Sequence, residues 1–132
     1  MNPWVWGCIF IMLSSTAGWA NIPQAERDAL LAFYSSPQGD GWTNRTGWLG
    51  DPGTEPGWFG VTCDEANTHV IGIELPSNNL TGYIPPQIGD FPQLQTLVLT
   101  WNGLSGSVPT ELCNLGNLMS LRLGSNQLPA PL

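Results

Sequence analysis

The stretch NNLTGYIP at residues 78–85 recurs 24 positions later as NGLSGSVP at residues 102–109. A third copy begins at Asn126 and keeps the pattern as far as Leu128. The apolar residues upstream of each asparagine share the same register, in the sets Val70, Leu94, Leu118, then Ile73, Leu97, Leu121, then Leu75, Leu99, Leu123. A constant period over this many positions predicts that one structural unit is repeated along the chain.

Physical chemistry explains why particular residue types occupy particular positions of the repeat. Leu97 and Leu99 are two positions apart, so both point to the same side of a short strand. Asn102 follows the strand, and its amide can donate to and accept from backbone groups of adjacent turns. One turn cannot bury its own apolar face, whereas stacked turns bury it between them. The sequence therefore predicts a solenoid whose strands form a parallel sheet.

The repeat resembles the plant-type leucine-rich repeat, written LxxLxLxxNxLxGxIPxxLG. The resemblance covers residues 70–132, as two complete repeats at 70–93 and 94–117 and a partial one at 118–132. It implies an α/β repeat solenoid, a leucine-rich-repeat arc with a parallel concave β-sheet and an N-terminal cap built from a helix and a hairpin.

Residues 21–69 are predicted to be this cap. A helix is expected from Pro23 to Tyr34, and a hairpin is expected to join residues 59–63 to residues 70–75. The apolar stripe of the helix consists of Ala25, Ala29, Leu30 and Phe33, and the loop after it carries Trp42, Trp48 and Trp58. The stretches GDGWTN and WFGVTC resemble the cap that precedes plant-type repeats, in a form similar to bacterial and algal variants.

Two cysteines, Cys63 and Cys113, lie beyond residue 20. They are predicted to sit nearly two turns apart, and bonded cysteines need Cα atoms within about 7 Å. We therefore expect two free, buried thiols. In the plant-type cap a cysteine usually precedes the WxGVxC run, and residues 55–57 (EPG) stand there in this chain. Tryptophan packing is then expected to hold the cap together.

Residues 1–20 contain no charged side chain and include an apolar run at 4–13, which is typical of a secretory signal peptide cut after Ala20. The expected location is therefore secreted or cell-surface, either extracellular or periplasmic, with no membrane insertion. The formal net charge of −7, with three arginines and no lysine, argues against nucleic acid and anionic membranes as partners.

No motif for catalysis or cofactor binding is found. Asp64, Glu65 and His69 crowd one predicted turn, and a solvated hairpin turn explains them more simply than a metal site does. His69 is the only histidine, and no serine or cysteine has a motif that would bring it there. We predict that the chain is not an enzyme and binds no cofactor or metal.

The outward-facing residues of the predicted sheet are the candidate ligand site, and Trp101 stands out among them. The adjacent repeats carry Ser77 and Ser125 at its position, so the core does not require an aromatic there. It is either a recognition hot spot near Arg122 or a tryptophan lying flat over its neighbours. The candidate site residues are Glu74, Thr96, Val98, Thr100, Trp101, Ser120 and Arg122.

The resemblance implies a secreted or cell-surface module that binds protein, peptide or polysaccharide ligands, as in the N-terminal part of a receptor-like or inhibitor-like protein. A structural or adhesive surface protein without a specific small ligand is the alternative. Asn44 and Asn79 begin N-glycosylation sequons. The third repeat stops before its convex half, so its leucines are expected to need further repeats or a partner. We favour a fragment of a longer protein.

Overall fold

The computed structural model describes residues 21–129. The predicted signal peptide lies outside these residues, as do the last three residues of the chain. Residues 21–129 form one α-helix and six short strands, with four 3₁₀ turns in the connections. The helix is α1 (Gln24–Ser35), and the strands are β1 (Val61–Cys63), β2 (Val70–Glu74), β3 (Thr81–Gly82), β4 (Thr96–Val98), β5 (Gly103–Leu104) and β6 (Ser120–Arg122).

The main sheet has the strand order β1-β2-β4-β6. β1 pairs antiparallel with β2, which confirms the predicted hairpin. β2, β4 and β6 pair in parallel, so that Ile73, Leu97 and Leu121 lie side by side. These are the positions that the 24-residue period aligns. β3 and β5 form a second, two-stranded parallel sheet, and each of these strands begins shortly after the asparagine of its repeat. The predicted solenoid with a parallel sheet is therefore confirmed.

The asparagines form a ladder along the stacked turns. The Oδ1 atom of Asn102 accepts hydrogen bonds from the backbone N–H groups of Asn78 (2.8 Å) and Leu80 (3.0 Å) in the preceding turn. Its Nδ2 atom donates to the carbonyl of Leu75 at 2.9 Å. Asn126 makes two of the equivalent bonds to the turn of Asn102, accepting from the N–H of Leu104 and donating to the carbonyl of Leu99. Each asparagine therefore satisfies buried backbone groups where the chain leaves a strand, as its position predicts.

The cap ends this ladder with its own backbone. Asn78 has no preceding repeat, and its side chain instead accepts from the N–H of Asn44 (2.7 Å) and donates to the carbonyl of Asn44 (2.9 Å). A side chain at Gly82 would collide with the carbonyl of Ser36 in the cap, and the backbone of Gly82 is left-handed with φ +94°. Cap and first repeat are therefore in close backbone contact.

The core of the cap is aromatic, as predicted. The rings of Trp42 and Trp48 are 5.0 Å apart, as are those of Trp48 and Trp58, and Tyr34 stacks on Trp48 at 5.9 Å. All three indole N–H groups donate a hydrogen bond, to Pro37, Phe59 and Thr54 respectively. A buried indole N–H usually finds a hydrogen-bond acceptor, and each of these three does, so that the large rings are buried without an unsatisfied donor.

Three expectations about burial are wrong or incomplete. The apolar stripe predicted for the helix includes Ala25, but Ala25 is exposed, and Glu26 is buried together with Ala29, Leu30 and Phe33. Cys63 and Cys113 are both free, but only Cys63 is half-buried, whereas Cys113 is exposed. Cys113 is exposed because it lies in the 3₁₀ turn Thr110–Asn114 of the last complete repeat, none of whose residues is buried.

The apolar core opens at the third repeat, as expected. Leu97 is fully buried, whereas Leu121, its equivalent 24 residues later, is 45% exposed. Leu118, Leu123 and Leu128 are only partly buried. The third turn therefore covers the second without being covered itself by any of the described residues.

Candidate functional site

The candidate ligand site lies on the outward face of the main sheet, and we call it the concave strip. None of its seven residues is buried. The strand register arranges them in rows that cross the strands. Thr96 and Ser120 share one row, with Gly72 beside them, and Glu74, Val98 and Arg122 share the next. Thr100 and Trp101 lie beyond the end of β4.

Trp101 is the most exposed aromatic side chain among the described residues, at 68% exposure. Its backbone is left-handed with φ +59°, and the equivalent Ser77 and Ser125 have φ +51° and φ +57°. The turn therefore imposes this conformation in every repeat. A bulky residue with positive φ is uncommon and costs of order 1 kcal/mol or more. Neither packing nor local conformation accounts for a tryptophan here.

The expected proximity of Arg122 to Trp101 is only approximate. The register puts Arg122 beside Val98, three residues before Trp101. The backbone N–H of Trp101 donates to the carbonyl of Gly124 at 3.1 Å, two residues after Arg122. The two side chains therefore belong to different rows of the concave strip.

The three arginines of the chain differ in what they contact. Arg27 forms an ion pair with the buried Glu55 carboxylate, and its guanidinium lies 5.4 Å from the ring centre of Trp58. Arg45 contacts Asp40 at 3.1 Å and donates to the hydroxyl of Tyr34 at 3.0 Å. The side chain of Arg122 has neither a hydrogen-bonding nor an ionic partner within residues 21–129.

The two sequon asparagines have structural roles. The Oδ1 atom of Asn44 accepts from the N–H of Thr46 at 3.0 Å, while its backbone completes the ladder. Asn79 is exposed with φ +59°, and its Nδ2 atom donates to the carbonyl of Gly41 at 2.8 Å. The backbone of Asn44 and the side chain of Asn79 therefore help to join the cap to the first repeat, whereas the side chain of Asn44 bonds within the cap.

The acidic turn at residues 64–69 is organised by its own hydrogen bonds. The Asp64 carboxylate accepts from the N–H and the hydroxyl of Thr68, at 2.6 and 2.8 Å. These bonds, those from the Thr68 backbone first, lower the pKa of Asp64 below its usual value. Glu65 is exposed. Within residues 21–129 no group of three acidic, histidine or cysteine side chains is placed to hold a metal ion.

His69 contacts a buried carboxylate of the cap helix that the sequence analysis did not single out. Its Nδ1 atom lies 2.6 Å from the carboxylate of Glu26, which is 1% exposed. The other oxygen of Glu26 accepts from the N–H of Val70 at 2.8 Å. The contact links the helix of the cap to the first residue of β2, so both groups have a structural explanation.

Glu55 is the second buried carboxylate of the cap, also 1% exposed. It pairs with Arg27 and accepts from the N–H of Gly53 at 2.9 Å.

Burial, reinforced by nearby carboxylates, raises the pKa of the Cys63 thiol to about 11. Cys63 is therefore protonated at neutral pH and unsuited to act as a nucleophile.

Comparison with known proteins agrees with the fold. The Leucine Rich Repeat family model matches residues 93–115. Phytosulfokine receptor 1 of Arabidopsis thaliana is 35% identical over 105 residues, which are 76% of this chain and 10% of that receptor. The BIR2 ectodomain from the same plant superposes with a TM-score of 0.68 at 34% identity, covering 83% of this chain and 58% of that one.

A third relative was solved as a complex. The ectodomain of the receptor kinase GASSHO1/SCHENGEN3 from Arabidopsis thaliana, in complex with CASPARIAN STRIP INTEGRITY FACTOR 2, superposes with a TM-score of 0.63 at 35% identity. The match covers 80% of this chain and 13% of that one.

Stacked parallel strands joined by an asparagine ladder define a leucine-rich-repeat solenoid. The match to the repeat model and to plant ectodomains makes this chain a leucine-rich-repeat protein of the plant type. The chain spans only about a tenth of the length of the first curated relatives that it matches, 10% and 13%. Within residues 21–129, no helix is both long enough and apolar enough to cross a membrane.

Proposed function

We propose that this chain is an extracellular, non-catalytic recognition module that binds a protein, peptide or glycan on the concave strip. The observation that carries the proposal is Trp101. Its side chain is 68% exposed at a left-handed position where the adjacent repeats carry serine. Tryptophan and arginine are enriched among the residues that dominate binding energy at recognition surfaces, and the concave strip carries one of each.

The relatives support the same proposal. They include a receptor and plant receptor ectodomains, one of them solved in complex with CASPARIAN STRIP INTEGRITY FACTOR 2. We also propose a secreted or cell-surface location for this chain, with residues 1–20 as a cleaved signal peptide. In a eukaryotic secretory pathway Asn44 and Asn79 would then be glycosylation sites. Polysaccharide remains within the proposed ligand classes because an exposed indole can stack on a sugar ring.

The alternative is a structural or adhesive surface protein that has no specific ligand. The two functions differ in whether the concave strip is needed. We would immobilise the chain and capture extracellular proteins and glycans, then repeat the capture with the double variant Trp101→Ser, Arg122→Ala. Tyr83→Ala is the matched control, because Tyr83 is also an exposed aromatic, at 53%, but lies outside the main sheet.

The proposal expects specific capture that the double variant loses and that Tyr83→Ala retains. Equal capture by all three proteins would contradict the concave strip as the site. Absence of any specific capture would favour the structural alternative.

A further inference from the structure

We infer that the concave strip selects an extended, polyproline-II peptide segment that carries one basic and one acidic side chain three residues apart. This inference rests on the proposed function and adds the chemistry of the ligand. It follows from one row of the sheet, in which Glu74 and Arg122 lie on either side of Val98. We call these three residues the charged row.

The charged row has a defined length. Glu74, Val98 and Arg122 are register partners on three adjacent parallel strands. Neighbouring strands are about 4.8 Å apart, so the two charged positions are separated by about 9.6 Å. Glu74 and Arg122 are exposed, whereas Val98 between them is half-buried. A ligand that crosses the strands therefore meets a negative group, an apolar surface and a positive group in that order.

The charges of this row are available to a ligand. Arg27 and Arg45 are held by acidic side chains of the cap, and Arg122 is the arginine without such a partner among the described residues. Glu74 likewise forms no ion pair within residues 21–129. In a chain of net charge −7 with three cationic side chains, an unpaired arginine on an outward sheet face favours an acidic group in the ligand.

The spacing selects the conformation of the ligand. A polyproline-II segment repeats every three residues with a rise of about 3.1 Å per residue, so side chains three apart share one side at about 9.3 Å. That distance matches two strand spacings to within a few tenths of an ångström. In a β-conformation, by contrast, side chains three apart point to opposite faces.

The shape around the charged row fits such a segment. The row on one side consists of short residues, Gly72, Thr96 and Ser120, which let a ligand backbone approach the sheet. On the other side, beyond the strand ends, Trp101 offers an exposed indole. Aromatic surfaces are a usual platform for proline-rich segments.

The test uses three labelled peptides with blocked ends and otherwise only proline. In the first, a lysine and a glutamate are three positions apart. In the second the same two residues are adjacent, and the third has two lysines three positions apart. Binding to the full chain from a secretory host is measured by fluorescence polarisation. The first peptide should bind roughly fivefold to tenfold more tightly than either of the other two, because two exposed ion pairs contribute about 1 kcal/mol together. The preference should weaken with added salt.

The variant Arg122→Glu makes the sharpest control. It turns the charged row into two acidic groups at the same spacing, so it should reverse the preference and bind the two-lysine peptide most tightly. Trp101→Ser should weaken all three peptides without changing their order. A reversal in Arg122→Glu supports the inference. Failure of the chain to bind any of the peptides, or an order that Arg122→Glu leaves unchanged, overturns it.

The outcome separates this inference from the proposed function. If the double variant Trp101→Ser, Arg122→Ala loses its extracellular capture but the peptides are not discriminated, the concave strip is still the site and its ligand has another chemistry. Binding of an oligosaccharide that depends on Trp101 and is indifferent to Arg122→Glu would likewise overturn the peptide chemistry alone.

Discussion

The cap and the repeats of this chain stabilise the same sheet by different means. The repeats use interchangeable leucines and one asparagine per turn, so that each position has an equivalent 24 residues away. The cap uses large aromatic rings and two buried carboxylates, Glu26 and Glu55, which have no equivalents. The comparison shows that a periodic core depends on the stack as a whole, whereas the cap depends on individual polar pairs.

The largest effect is expected for the ion pair of the cap. Arg27→Met should lower the free energy of unfolding by about 3–5 kcal/mol, because it leaves the Glu55 carboxylate buried without its counter-charge. The double variant Arg27→Met, Glu55→Met should recover most of this loss, since a buried pair can be replaced by apolar groups at little cost. Urea unfolding measures both. A double variant as unstable as the single one would show that the carboxylate itself is not the cause.

The repeat core should respond according to position in the stack. Leu97→Ala should cost about 2–4 kcal/mol, because it opens a cavity in a fully buried site. Leu121→Ala removes the same atoms at the equivalent position, but that residue is 45% exposed, and the expected cost is below about 1 kcal/mol. Equal losses in urea unfolding would mean that Leu121 is covered in solution.

The contact between helix and first repeat should have a smaller effect. Glu26→Ala removes the acceptor for the buried N–H of Val70, and an unsatisfied buried donor costs about 1–3 kcal/mol. Asp28→Ala, on the exposed side of the same helix, should change stability by less than about 0.5 kcal/mol. If the two variants unfold at the same urea concentration, Glu26 does not link the cap to the repeats.

The repeats could be predicted from the sequence more completely than the cap. The period predicted which leucines pair across strands and which asparagines serve the backbone, because a repeated unit constrains each position several times over. The hairpin and the aromatic core of the cap were also predicted, from residues whose chemistry is local. Leu121 could be expected to be exposed because no further turn follows it among the described residues.

The buried carboxylates could not be predicted. Glu26 lies in the first turn of a helix, where an acidic residue is usual on electrostatic grounds alone. Its burial depends on His69 and Val70, more than 40 positions away. The prediction that Ala25 lies in the core is wrong for the same reason. Ala25 and Glu26 are adjacent in the helix, and it is Glu26 that lies on the buried face while Ala25 lies on the exposed one. The burial of Glu55 likewise depends on Arg27, which lies 28 positions earlier in the sequence and supplies the positive charge that pairs with the carboxylate.

The site was only partly predictable for a similar reason. Alternation along a strand indicated which side chains point outward, and the structure leaves all seven candidates unburied. The absence of an acidic partner for the Arg122 side chain within residues 21–129 depends instead on the tertiary structure. Alternation along a strand does not indicate which charged groups pair.

The central claim is that Trp101 serves binding and not the stability of the solenoid. The variant Trp101→Gly tests it most directly, through its free energy of unfolding and its extracellular capture measured side by side. Glycine suits the left-handed backbone at φ +59°, so stability should be unchanged or rise by up to about 1 kcal/mol. Capture should be lost. A fall in stability of more than about 1 kcal/mol, or capture that persists, would contradict the claim.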